Sequence, residues 1–123
     1  CISSAASDVY KRQELKGKSF DIDFFDADVL DNYIKALEPL QKVNIAKKDN
    51  FSEFIREYCG ISYNFFDTFL GEGTAKDLFG GKQNLKVCNE CLKKCIIECN
   101  NYLENDFNKE FDKEIGSWKD LIK

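Results

Sequence analysis

Histidine and methionine are both missing from this chain, and each absence removes something specific. Without histidine there is no side chain whose ordinary pKa lies near neutrality, so the commonest general base and a common metal ligand are gone. Catalysis would have to rest on carboxylates, lysines or cysteines. With methionine absent even from position 1, the expectation is a processed N-terminus or a truncated reading frame. Proline occurs once, which leaves long segments open to helix. No apolar run approaches the roughly 18 residues needed to cross a bilayer, and the first residues lack the apolar core of a secretory signal. Basic runs are no longer than Lys47-Lys48 or Lys93-Lys94, against a formal charge of −4 and a pI near 4.9. That balance argues against nucleic acid and membrane as partners.

What is present describes one small folded domain. The chain has 123 residues, 43% hydrophobic and 33% charged, enough for a modest core and too apolar for disorder. Gly17 to Phe25 reads as a strand, with Phe20, Ile22 and Phe24 alternating with Ser19, Asp21 and Asp23. A lone strand is unstable, and Glu14-Leu15-Lys16 before the Gly17-Lys18 turn offers the remnant of a hairpin partner. Asp26 or Asp28 caps a helix expected to run to about Ala46, with Val29, Tyr33, Leu37 and Leu40 as its buried stripe. Pro39 should kink or break it after Leu37. Lys47-Lys48-Asp49-Asn50 reads as a polar turn. A second helix starts near Phe51 or Ser52, and Gly60 inside it either admits close packing or marks a break.

The corner at residues 65–80 holds the densest local code. Phe65, Phe66, Phe69 and Leu70 recur at helical spacing, Gly71 ends that helix, and Thr74 is the expected N-cap of a short helix through Leu78 and Phe79. Gly73 lies inside the turn, and Gly80 stops the short helix. These aromatics read first as the packed core of a helix–turn–helix corner. Glu72 between two glycines is no phosphate loop, because the required Lys and Ser/Thr are missing. A long final helix is expected from about Leu85 to Ile115, ended by Gly116-Ser117. Its far part, about 104–123, should project or pack on a partner, because about 45 Å of helix exceeds what so small a domain can cover. Trp118, Leu121 and Ile122 form a short apolar motif beyond it.

Cys88, Cys91, Cys95 and Cys99 fall on one face of that helix, within about 80° at 100° per residue. One straight helix spreads the four sulfurs over about 16 Å, too far for a single ion. A Cys88/Cys91 dithiol near a helix start would be a redox pair, yet it lacks the βαβ setting of that chemistry. The simpler reading makes all four core positions, since Leu92, Ile96 and Leu103 continue the stripe. No metal or cofactor is expected. The acidic row Asp21, Asp23, Asp26 and Asp28 lacks the Gly and the distal Glu of a calcium loop and is explained by solvation and capping.

Two resemblances go beyond composition and spacing. Residues 1–13, ending in Ser7-Asp8-Val9-Tyr10-Lys11-Arg12-Gln13, resemble a translated sequencing adapter at a contig edge. They are set aside as artefact or disordered tail, leaving 14–123 as one domain. Phe20 to Val29, Phe65 to Ala75 and Leu78 to Cys88 together resemble a family of short uncharacterised proteins of tailed phages and prophages of Gram-positive bacteria. Those proteins are often assigned as tail assembly chaperones, encoded between the major tail protein and the tape measure.

The expected fold is mainly α: a small domain of about four helices, with a short N-terminal β-strand or hairpin and a long C-terminal helix. The resemblance implies a non-enzymatic protein in the bacterial host cytoplasm that binds a phage structural protein, such as the tape measure; a homo-oligomer is left open beside it. Phe65, Phe66, Phe69, Leu78, Phe79, Phe107, Phe111 and Trp118 are the candidate partner-binding residues, with Gly71, Gly73, Thr74 and Gly80 shaping the turn. The alternative is a cysteine-based metal or redox module on residues 88–99.

Overall fold

A computed structural model describes residues 10–44 and 49–122. Strands β1 (Lys11–Leu15) and β2 (Lys18–Ile22) pair antiparallel, with Lys11 opposite Ile22 and Leu15 opposite Lys18. Lys16 and Gly17 both take positive φ, 49° and 78°, so the two-residue turn twists with its strands. The hairpin arrives as expected, but β2 stops at Ile22, short of Phe25. Its partner strand also begins earlier than the sequence suggested. Lys11, Arg12 and Gln13, set outside the domain on their resemblance, lie in β1. Gln13 is fully buried, and its Nε2 donates to Glu98 Oε1 at 2.8 Å.

Two exposed strands cannot hold themselves together. The inner face, Leu15, Ile22 and then Phe24, is buried against the helices, and β1 packs on the final helix. Helix α1 (Ala27–Gln41) is capped by Asp26, whose carboxylate accepts from Asp28 N at 3.0 Å. It passes through Pro39 and ends two residues later, short of the expected Ala46. Proline lacks the N–H that would donate one turn back and disfavours a helical residue before it, and the helix stops within a turn of it. Of the expected Lys47–Asn50 turn, Lys47 and Lys48 lie outside the described residues. Asn50 caps helix α2 (Phe51–Leu70), accepting from Glu53 N at 3.2 Å.

Helix α2 runs unbroken through Gly60, and nothing lies within 4 Å of where a Cβ would stand. Gly60 therefore serves neither close packing nor a break. Gly71 takes φ 113° and ψ 148°, a conformation that side-chain-bearing residues avoid, and turns the chain into α3 (Thr74–Phe79). Thr74 does not cap α3. Gly73 holds the cap position without a side chain, and Asp67, one helix back, accepts from Ala75 N at 2.9 Å. The carboxylate thus ties the two helices across the corner while meeting a backbone donor at a helix start. Gly80, at φ 63°, ends α3.

Helix α4 (Leu85–Asn101), capped by Asn84, passes into a π-helical turn at Tyr102–Phe107 and then into α5 (Asn108–Lys119), with a 3₁₀ turn at Asp120–Ile122. Gly116-Ser117 does not end the helix, which continues to Lys119. Ser117 Oγ donates to Glu114 O at 2.6 Å, so the serine is satisfied within the helix. At 1.5 Å per residue the whole rod is about 55 Å long. The architecture is the expected one: mainly helical, a short N-terminal hairpin, a long C-terminal helix.

Candidate functional site

The core is aromatic at its centre. Phe24 contacts Tyr33, Phe69 and Tyr102 at ring-centroid distances of 5.5, 6.0 and 5.8 Å. Tyr33 donates through its hydroxyl to Asn100 Oδ1 at 2.7 Å, fastening α1 to α4. Phe65, Phe66, Phe69, Leu78 and Phe79 all belong to this interior, none more than 5% exposed. Five of the eight candidate partner-binding residues are therefore corrected to core: α3 and α4 cover the face that helical spacing marked on α2. The corner organises the domain and presents no apolar surface there.

The other three candidates lie along the outgoing rod, and their exposure rises outward. Phe107 is half-buried and stacks on Phe25 at 4.6 Å. Phe111 and Trp118 are exposed at 48% and 51%. Ile115, Leu121 and Ile122 are exposed with them, and α5 buries no residue at all. Ile115 was missing from the candidate set, although its spacing from Phe111 and Trp118 marks it as part of the same stripe.

The π turn sets where the rod leaves the domain. Tyr102 and Phe107 are five residues apart, which would separate them by about 140° on an ordinary α-helix. A turn with i→i+5 bonding brings them back towards one side, where Tyr102 meets Phe24 and Phe107 meets Phe25. Tyr102 is 9% exposed and its hydroxyl finds no hydrogen-bond partner. Burial raises its pKa above the usual tyrosine value, and the carboxylates of Asp106, Glu110 and Asp23 add to the rise. Beside it, an open cleft of about 670 Å³ separates Lys11 and Arg12 from Glu98, Asp106 and Lys109. Charges of both signs line it, so it presents no single-signed field to an ionic ligand.

The cysteine row is interior. Cys59 on α2 and Cys88, Cys91, Cys95 and Cys99 on α4 are free thiols, all buried. Burial pushes Cys88 up to about 12, helped by its hydrogen bond and charge contact with Cys59. The hydrogen bond to Cys99 pushes Cys95 up further, with burial adding to it. Burial also raises Cys91, against the opposing pull of Lys16 and Lys94. With their pKa values raised, Cys88, Cys91 and Cys95 hold their protons at neutral pH, unlike a thiol primed for nucleophilic attack. Among the described residues no group of three or more His, Cys, Asp or Glu is placed to hold a metal ion. No helix among them is long and apolar enough to cross a membrane.

The sequence pattern of a family of unknown function (DUF6673) matches residues 16–116. No curated protein and no solved structure matches the chain.

Proposed function

The chain belongs to the family of unknown function DUF6673; we propose that it is a non-enzymatic protein that works by docking other proteins on its last helix. The observation that carries this reading is the exposed row Phe111, Ile115, Trp118, Leu121 and Ile122 on α5 and the 3₁₀ turn after it, neither of which buries a residue. Large apolar side chains gathered on one exposed face favour a protein partner, and an amphipathic helix offers them as anchors one turn apart.

The expected setting is a phage or prophage in a bacterial host cytoplasm, with the protein acting as a tail assembly chaperone and the tape measure as client. A tape measure is itself elongated and helical, so its apolar stripes would pair with α5 before assembly buries them. The resemblance of Phe20–Val29, Phe65–Ala75 and Leu78–Cys88 to tailed-phage proteins supports that setting, and the exposed row supports the mode of contact. Co-expression with the tape-measure protein of the same genome tests both. Co-purification that Trp118→Asp abolishes, with unchanged circular dichroism, is the expected result. A chain with no affinity for that protein under reducing conditions overturns the reading.

A further inference from the structure

The exposed face of α5 has a finer pattern than amphipathicity requires. Asn108, Phe111, Ile115, Trp118 and Ile122 follow one another at spacings of three, four, three and four. That is the a/d alternation of a two-stranded coiled coil; at 100° per residue the first four, on α5 itself, lie within a sector of about 80°, and Ile122 follows in the 3₁₀ turn. Glu114 and Lys119 fall at the flanking g and e positions, five residues apart. Gly116 and Ser117 fall on the outer side, where Gly116 has nothing within 4 Å of a built Cβ.

Resting on the reading of α5 as a docking helix, we infer that its occupant in the absence of a client is a second copy of this chain, paired in parallel along Asn108–Ile122. Charge complementarity supports a second copy as the occupant. In the parallel arrangement each Glu114 meets Lys119 of the other copy, giving two ion pairs across the seam. An antiparallel arrangement of the same apolar layers sets Glu114 against Leu121 and pairs Lys119 with Asp112 instead. Charge alone does not choose between the two; Asn108 does. Its Nδ2 donates within the helix to Glu104 O at 3.0 Å, which leaves one amide hydrogen and the side-chain oxygen to meet the facing Asn108. An asparagine at one a position is a device for fixing register and parallel pairing.

The seam is only two heptads long, but the cost that usually disfavours short coiled coils is already met. The helix is nucleated by α4, so pairing need not form it. The π turn directs the seam away from the domain: Phe107, just before it, is held against Phe25, and the exposed row begins one turn later. A client with a similar stripe would compete for the same face, so self-pairing keeps the stripe covered until a client arrives.

Sedimentation equilibrium of the full chain under reducing conditions, from about 1 to about 500 µM, is the test. A monomer–dimer equilibrium is expected. Glu114→Lys turns both attractive pairs repulsive and should raise the dissociation constant about tenfold. Adding Lys119→Glu should restore it to within about twofold, which separates pairing from any loss of folding. Ile115→Asp should leave a monomer with unchanged helical signal. A chain monomeric throughout overturns the inference, and so does a dimer indifferent to the Glu114→Lys reversal. Tape-measure binding by a strictly monomeric chain would overturn self-pairing and leave the client reading standing. A charge-dependent dimer that ignores the tape measure would do the reverse.

Discussion

Helices α4 and α5 are two stretches of one rod with the same kind of apolar stripe and opposite fates. In α4 the stripe is Cys88, Cys91, Cys95 and Cys99, each no more than 7% exposed; in α5 it is Phe111, Ile115 and Trp118, each at least 37% exposed. Periodicity reports that a face is apolar, and what lies opposite decides whether it is covered. Opposite α4 stand α2 and β1. Small thiols suit that site, because a short side chain lets two helix backbones approach closely. Beyond the π turn, the side chains are the large anchors that make an interface.

The contrast is broken most sharply by cutting one aromatic from each region. Phe65 is fully buried and meets Tyr33, Phe66 and Phe69 edge-on or tilted at 6.4, 5.1 and 5.8 Å. Phe65→Ala should cost about 3–5 kcal/mol in urea unfolding, from lost transfer energy and the cavity left behind. Phe111→Ala removes a ring of the same size and should change monomer stability by less than about 0.5 kcal/mol. A comparable loss at both positions would mean that α5 is covered within its own chain.

Alkaline pH probes the inner region through its thiols. A thiol in the unfolded chain titrates near its ordinary 9.0, whereas burial and the contact with Cys59 hold Cys88 near 12 in the fold. A raised folded pKa gives stability that is complete below the unfolded value and is lost as pH climbs towards the folded one. Unfolding free energy should therefore fall between about pH 9 and 12, by about 1.4 kcal/mol per pH unit for each thiol that ionises only on unfolding. The slope should be steeper than Cys88 alone gives, since Cys91 and Cys95 are raised as well. Denaturant melts at stepped pH measure it, and a flat profile would place these thiols in water.

Much of this architecture was legible. The hairpin turn, the cap at Asp26, the glycine corner and the interior role of the cysteine row all rest on local chemistry that tertiary contacts leave intact. The misses share a cause. Thr74 lost its capping role to Asp67, a residue seven positions back that only the folded corner brings near Ala75. Phe65, Phe66 and Phe79 read first as core yet also stood among the candidate partner contacts, because a sequence shows an apolar face without showing its cover. Gly116 looked like a stop, yet a continuous helix can carry one glycine at a cost of about 1 kcal/mol. The π turn left a trace in the five-residue step from Tyr102 to Phe107, a spacing outside both helix and strand templates.

At the junction between the two regions, Tyr102 carries a hydroxyl that is buried and unpaired. Leaving such a group dry costs about 1–3 kcal/mol, while its ring is useful against Phe24 and Phe107. Tyr102→Phe keeps the ring and discards the hydroxyl, so stability should rise by about 1 kcal/mol in urea unfolding. A loss would mean that the hydroxyl is satisfied in solution by an ordered water from the cleft beside it.

The smallest effect compares the two helical glycines. Gly60 in α2 and Gly116 in α5 both have open space around a built Cβ, and neither is among the glycines of positive φ. An alanine at either position should favour helix by about 0.5–1 kcal/mol. At Gly60 that gain should appear in full in global unfolding, because α2 unfolds only with the core. At Gly116 the same gain should leave the global midpoint almost unmoved and appear as slower amide exchange around Ile115 to Lys119, since α5 opens by local fraying. If Gly116→Ala raised the global midpoint as much as Gly60→Ala, the rod would be part of the cooperative unit. In a self-paired chain that coupling should appear only at concentrations where the dimer is populated.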